Sequence, residues 1–355
     1  MQNTSIRSLT RFILTILVLG LPSIASAQLA FSSIVVFGTS LSDPGNAFSL
    51  LAHPIAGMNL ESNVSQNKPP YDTLDESLVP SAPYAKGGHH FSNGATWIEQ
   101  FAQGRGFAAN VGAAFQSNSP KARNYAVGGA RATDYPARVN LPQQVQAFLA
   151  DVGQMPSADA LYVIEIGNND IRDALVTFLT VYQTVYQTTQ DPAQAQAQAT
   201  TAANAILTNA LNSIAGNIQT LYTLGAKKFL VMNAARIDLV PAVTALGPDV
   251  AGVAASLTNG FNQGLALNVL ASLSGLPGIQ IAHMDIAAEM TSIIQAPSDF
   301  GLTNVTDPCI TPNTPPFTCQ QPDNYFFWDG IHPTKAIHTI VSQQVAGVLA
   351  NYPNP

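Results

Sequence analysis

Three residues of this 355-residue chain have the types that nucleophilic attack on a carbonyl group requires. Ser40 follows a short apolar run near the N-terminus, and Asp329 and His332 stand three residues apart near the C-terminus. A serine hydroxyl is a weak nucleophile and needs an adjacent base. A histidine supplies that base, and a carboxylate fixes its tautomer and stabilises the imidazolium. We therefore predict Ser40 as nucleophile, His332 as base and Asp329 as orienting acid, provided that a turn folds the last two together.

Such a reaction passes through an oxyanion, which needs hydrogen-bond donors aimed at it. The sequence offers the backbone N–H of Ser40, the side-chain amide of Asn169 in G-N-N-D, and a backbone N–H of the pair Gly128-Gly129 in N-Y-A-V-G-G-A. A glycine suits this position because its bare backbone can approach a substrate closely. The three donors together predict an oxyanion hole.

The elements that must position these residues are readable from apolar runs and helical spacing. Near-continuous apolar runs predict four buried strands, at 33–38, 160–166, 228–233 and 279–285. Helical segments are predicted at 141–152, within 172–223 as one or two long helices, at 254–273 and at 336–349. Strands that alternate with helices predict a parallel sheet covered on both faces. Ser40 and Asn169 directly follow the first two strands, where α/β proteins place their sites.

Composition excludes one class of partner. The chain has 14 basic and 21 acidic residues, for a net charge of −7. A nucleic-acid-binding protein needs a basic face, so we predict no nucleic-acid partner.

The first 27 residues have the pattern of a secretory signal peptide. Arg7 and Arg11 precede a short apolar stretch at 12–21, and Ala25-Ser26-Ala27 offers a cleavage site. The apolar stretch is too short for a membrane span, so the mature chain is expected to contain no integral membrane segment. The rest of the chain, 28–355, shows no linker and is predicted to form one domain, secreted or periplasmic.

The two cysteines, Cys309 and Cys319, close a short loop. In an exported protein such a pair predicts a disulfide, and two free buried thiols are the alternative. The adjacent histidines His89 and His90 have no third ligand at metal-site spacing, so a position on the rim of the substrate pocket is preferred to a metal site. We expect no metal and no organic cofactor.

Taken together, the motifs resemble those of the GDSL, or SGNH, family of serine esterases and lipases. The matching segments are F-G-T-S-L-S-D-P-G-N, N-Y-A-V-G-G-A, G-N-N-D and D-G-I-H-P-T. F-S-N-G-A-T-W-I-E-Q at 91–100 and L-G-A-K-K-F-L-V at 224–231 fit its larger branch, which includes plant-type GDSL lipases, haemolysin-like phospholipases and esterase passengers of autotransporters. The resemblance implies a flavodoxin-like three-layer α/β/α sandwich.

The resemblance also assigns roles and shows one departure. The oxyanion glycine of the second motif aligns best with Gly129, with Gly128 as a close rival. The aspartate that names the family's first motif is Thr39 here, which leaves the catalytic positions intact but alters the turn beside Ser40.

These expectations add up to a secreted serine hydrolase that cleaves carboxylic esters through an acyl-enzyme on Ser40. Its partner would be a small-molecule or lipid ester. Two alternatives remain open: an acyltransferase with the same triad, and a non-catalytic binding protein on the same fold.

Overall fold

A parallel four-stranded sheet forms the centre of the computed structural model, which describes residues 31–52, 89–115, 119–310, 316 and 318–351. The strands are β1 (Ser33–Gly38), β2 (Ala160–Glu165), β3 (Lys228–Met232) and β4 (Gln280–Met284), adjacent in that order. Each lies within one residue of its predicted bounds. All six residues of β2 are buried, so this strand is covered on both faces. The predicted signal peptide lies outside the described residues.

The free side of β1 is lined by the segment 123–127. Val36 forms a parallel bridge with Asn124, and the N–H of Tyr125 donates to the Val36 carbonyl over 2.8 Å. The N–H of Val127 donates to the Gly38 carbonyl at the end of β1. A segment that comes between β1 and β2 in the chain therefore lies outside β1, which is the order of a flavodoxin-like sheet.

Helices cover this sheet. α3, α4, α5 and α7 pack against one another, whereas α2 and α10 form a separate pair, consistent with a three-layer α/β/α sandwich. The bounds are α1 Asn46–Ala52, α2 Trp97–Gln103, α3 Leu141–Asp151, α4 Asn168–Thr189, α5 Pro192–Thr223, α6 Pro241–Thr244, α7 Pro248–Gly264, α8 Ala271–Leu273, α9 Ile286–Gln295 and α10 Lys335–Ala350. A π-helical stretch, Leu265–Leu270, joins α7 to α8.

The predicted helical region 172–223 consists of two helices that pack against each other. α5 begins after Asp191, whose side chain accepts hydrogen bonds from the N–H groups of Ala193 and Gln194, with Pro192 at the first helical position. Helices α1, α2, α6 and α9 were not predicted. Among the helices of the described residues, none combines the length and apolar composition that a membrane crossing requires.

A second, two-stranded sheet precedes the C-terminal motif. It pairs β5 (Asn304–Pro308) with β6 (Tyr325–Phe327), and it was not predicted. The disulfide between Cys309 and Cys319 lies beside it and confirms the predicted pairing. The N–H of Cys309 donates to the Phe327 carbonyl, which ties the cross-linked loop to the strand that leads into Asp329.

Candidate active site

The structure brings the three residues of the predicted triad into one hydrogen-bonded line. His332 Nε2 lies 2.8 Å from Ser40 Oγ, and His332 Nδ1 lies 2.8 Å from Asp329 Oδ2. With Nδ1–H donating to the carboxylate, Nε2 is left to accept the Ser40 hydroxyl proton. This arrangement is the one that activates a serine nucleophile.

A tight turn explains how Asp329 and His332 meet although only three residues separate them. Asp329 Oδ1 accepts the backbone N–H of Ile331 over 2.8 Å and that of His332 over 2.6 Å. The N–H of Trp328 donates to the His332 carbonyl and closes the base of the turn. One carboxylate therefore folds the loop with one oxygen and orients the imidazole with the other.

Ser40 lies in a turn at the end of β1 that rests on a buried acid, Glu165. This carboxylate accepts the Thr39 N–H over 3.1 Å, the Thr39 hydroxyl over 3.0 Å and the Ser42 hydroxyl over 3.1 Å. Ser42 Oγ in turn accepts the indole N–H of Trp97 over 3.0 Å. The acid at the end of β2 thus holds both ends of the nucleophile turn, and sequence reasoning missed it.

Burial governs the charge state of Glu165, which is only 4% exposed. Removal from water raises its pKa to about 7, although the hydrogen bonds from Thr39 and Ser42 and the charge of His332 oppose that rise. Gly38 leaves room for the acid, since a Cβ on that glycine would meet a carboxylate oxygen at 3.0 Å.

The two candidate oxyanion glycines differ in what their N–H groups do. The N–H of Gly128 donates to Asp43 Oδ2 over 2.8 Å, so it is committed to that carboxylate. Gly129, at φ +77°, lines the same cavity as Ser40. Its carbonyl accepts a 2.6 Å hydrogen bond from Arg131, which fixes the peptide that follows. The geometry favours Gly129 over Gly128.

Asn169 reaches the same cavity from the first turn of α4. Its Nδ2 donates one hydrogen to the Ala130 carbonyl over 2.9 Å, and this bond orients the amide. The positive end of the α4 dipole lies at this position and favours negative charge. The neighbouring carboxyl, Asp170, is buried and accepts the Ala132 N–H, so its contact is with the backbone beside the site.

The carboxylate of Asp43 holds the first two motifs together. Asp43 accepts the N–H groups of Gly45, Asn46 and Ala47 at the start of α1, besides that of Gly128. Asp43 thereby joins the start of α1 to the second motif. Burial raises its pKa to about 6.

A large apolar cavity opens beside Ser40. Its volume is about 1430 Å³, including the part open to solvent. Ser40, Gly129, Asn169 and His332 lie along it. The remaining lining is dominated by apolar side chains from β3, the 237–243 region, α9, β6 and α10, namely Met232, Ile237, Val240, Val243, Ile286, Met290, Ile293, Phe326, Ile337 and Val341.

The predicted position of His89 and His90 on the pocket rim is wrong. Neither residue lines the cavity. His89 stacks on Phe48 with ring centroids 3.5 Å apart, and His90 Nε2 lies 2.9 Å from a carboxylate oxygen of Glu99 on α2. Within the described residues, no three His, Cys, Asp or Glu side chains converge in a way that could hold a metal ion.

Comparison with known proteins places this geometry in a family. The model of the GDSL-like Lipase/Acylhydrolase family matches residues 34–345. An Arabidopsis thaliana GDSL esterase/lipase is 24% identical over 92% of this chain and 92% of its own length. A second one from the same plant is 27% identical over 71% of this chain and 76% of its own. Because the family match spans nearly the whole described fold and all four motifs, the chain belongs to the GDSL-like lipase/acylhydrolase family of ester hydrolases.

Proposed function

We propose that the protein hydrolyses carboxylic esters through an acyl-enzyme on Ser40. The observation that carries the proposal is the continuous line from Asp329 through His332 to Ser40, with two 2.8 Å contacts. His332 takes the proton of the Ser40 hydroxyl as its oxygen attacks the ester carbonyl, and returns it to the leaving alcohol. Water activated by the same imidazole then attacks the acyl-enzyme, releases the acid and restores the serine.

The oxyanion of each tetrahedral intermediate is held by three donors in this proposal. They are the backbone N–H groups of Ser40 and Gly129 and the second amide hydrogen of Asn169, the one that does not bond to Ala130. Ser40, Gly129 and Asn169 all line the cavity beside the nucleophile. Donors fixed in place before the reaction stabilise the developing charge without reorganising, and such stabilisation provides much of the rate enhancement in acyl-transfer enzymes.

The apolar cavity supports an ester with an extended hydrocarbon acyl chain as the substrate. Asn168, Arg172 and Asn233 are among the polar side chains in the lining, but most of its exposed surface is apolar, so a sugar or another polar acyl group would lose many of its hydrogen bonds to water there. A hydrocarbon chain gains about 0.8 kcal/mol for each methylene that leaves water. Medium-chain and long-chain esters are therefore proposed to react faster than acetate.

Export from the cytoplasm is part of the proposal. The disulfide between Cys309 and Cys319 suits an oxidising compartment. The pattern of residues 1–27 suits a secretory signal peptide. We accordingly propose a secreted or periplasmic enzyme.

The test is hydrolysis of a p-nitrophenyl ester series, from acetate to palmitate, by the mature protein and by Ser40→Ala. We expect activity that rises with chain length in the first protein and background rates in the second. Equal activity in both proteins would contradict the assignment of Ser40 as the nucleophile. Product analysis with an added alcohol separates hydrolysis from acyl transfer.

A pair of methionine variants tests the acyl site. Met290→Phe narrows the cavity from α9 and should lower the rate on palmitate while the rate on acetate is retained. Met155→Phe makes the same change at a side chain that is 76% exposed and does not line the cavity, so its chain-length profile should match the wild type. Unchanged profiles in both variants would place the acyl chain elsewhere.

A further inference from the structure

Glu165 contacts the nucleophile turn through three hydrogen bonds. Thr39 N–H, Thr39 Oγ and Ser42 Oγ all donate to its carboxylate over 3.0–3.1 Å. The turn that these donors belong to holds Ser40 between them. No step of the proposed reaction uses this acid, although removing a carboxylate from water is costly unless its charge is compensated.

Resting on the proposed ester hydrolysis, we propose that Glu165 is a positioning residue: its ionised carboxylate holds the Ser40 turn in its reactive geometry and supplies a second negative charge that stabilises the His332 imidazolium. Asp329 is the first such charge and touches the imidazole directly. Glu165 acts through Thr39 and Ser42 and through its electrostatic attraction for His332.

The residue at position 39 supports this role. The family motif has an aspartate there, and this chain has Thr39. In the structure the Thr39 hydroxyl lies 3.0 Å from both oxygens of Glu165. A carboxylate at position 39 would lie next to that of Glu165, and two carboxyl groups this close cannot both ionise readily. The turn thus has one buried acid, placed on β2 instead of on the turn itself.

The groups around Glu165 determine how the turn responds to pH. Thr39, Ser42 and the indole of Trp97 are neutral, and His332 is the titratable group whose charge acts on the acid. Since burial raises the pKa of Glu165 to about 7, the acid becomes protonated as pH falls below neutrality. A protonated carboxyl loses an acceptor for the turn and its attraction for the imidazolium. Protonation of Glu165 should therefore lower activity as pH falls below neutrality.

Glu165→Gln tests the charge while keeping the shape. We expect kcat at pH 8 to fall about tenfold, the effect of a charge interaction equivalent to one pKa unit, with KM unchanged. The acid limb of log(kcat/KM) should be less steep in the variant than in the wild type, because the protonation of Glu165 no longer contributes to it. A purely structural role would scale the rate equally at all pH values, so an acid limb of unaltered shape would overturn the proposal whether or not kcat falls.

A charge-exchange series supplies a readout that does not depend on activity. Thr39→Asp should lower the melting temperature more at pH 8 than at pH 5, because two adjacent carboxylates then repel. Adding Glu165→Gln should restore it. If the double variant is no more stable than Thr39→Asp alone, the two positions do not share one charge site and the proposal fails.

Asp159→Asn is the matched control. It removes an acid near the opposite end of the same strand, with a side chain that is 75% exposed. Its kcat and acid limb should equal those of the wild type, and a change as large as that of Glu165→Gln would also overturn the proposal. Failure of the proposed function is separate: it would show as esterase activity that survives in Ser40→Ala, whatever the stability series gives.

Discussion

Asp329 links local folding to chemistry within a single side chain. Its Oδ1 accepts two backbone N–H groups, those of Ile331 and His332, and its Oδ2 holds the imidazole. The loop geometry and the tautomer of His332 therefore depend on different oxygens of one carboxylate. An amide at this position can keep the first function and lose the second.

Asp329→Asn is accordingly expected to lower kcat by about 10⁴-fold, the size of the effect when the orienting acid of a Ser-His-Asp triad becomes an amide. KM and the melting temperature should change little, because the amide oxygen can still accept the two N–H groups. Steady-state kinetics measure kcat and KM, and thermal unfolding measures the melting temperature. A large fall in melting temperature with unchanged kcat would contradict this assignment, because the substitution would then have disturbed the loop and not the orientation of the imidazole.

The geometry of the junction between β2 and α4 depends on a single glycine. Gly167 has φ +126°, and a Cβ there would run into the Phe261 ring. Only a glycine tolerates both the backbone conformation and the closeness of the ring. Since Asn169 comes two residues later, this junction also determines where the amide points.

Gly167→Ala should cost about 3 kcal/mol or more of unfolding free energy, from backbone strain together with overpacking. It should also lower kcat by displacing Asn169. Gly216→Ala is the matched control within α5, where a Cβ meets nothing within 4 Å, and it should stabilise by about 0.5–1 kcal/mol. Urea unfolding measures the unfolding free energy of both variants. Equal values for the two would show that the junction does not require glycine at position 167.

The elements that the sequence predicts are those formed by local patterns, whereas those that depend on contacts between distant segments were missed. The four strands were predicted because their apolar runs are local signals. Glu165 was missed because its role depends on the register of β1 against β2, which places it beside Gly38, and no local pattern contains that pairing. Helix α1 was missed because its seven residues lie in a stretch rich in Pro, Gly, Asn and Ser.

The candidate site divides in the same way. That Ser40, Asp329 and His332 meet could be predicted, since few residue types perform nucleophilic catalysis and their motifs occur in the expected order. The positions of His89 and His90 could not be predicted, because the partner of His90 is Glu99 on a helix that the spacing did not indicate. The cavity lining comes from widely separated parts of the chain, which only the folded structure brings together.

At the scale of the whole molecule, buried ionisable groups set the pH dependence of stability. Burial raises the pKa of Asp43 to about 6 and those of Glu165 and Asp170 to about 7. The folded state therefore binds these protons more tightly than the unfolded chain, so the stability they contribute is lost as pH rises from about 4 to about 7. His338 acts in the opposite direction: burial lowers its pKa to about 3, and its contribution is lost as pH falls from about 6.5.

Asp170→Asn isolates one of these contributions, since the amide can still accept the Ala132 N–H. We expect the variant to be more stable than the wild type by about 1 kcal/mol or more at pH 8, with the difference shrinking towards pH 5. Thermal unfolding at several pH values provides the comparison. A difference that is constant with pH would show that the charge of Asp170 is not what the substitution removes.

The contact between Ser40 and His332 joins residues 292 positions apart in the chain. Synthesis from the N-terminus delivers the nucleophile early and the base much later. During that interval Ser40 lacks the imidazole that contacts it in the folded chain, and the contact forms only when the last motif docks beside β1. The proposed triad therefore exists only in a chain that has folded through its last motif.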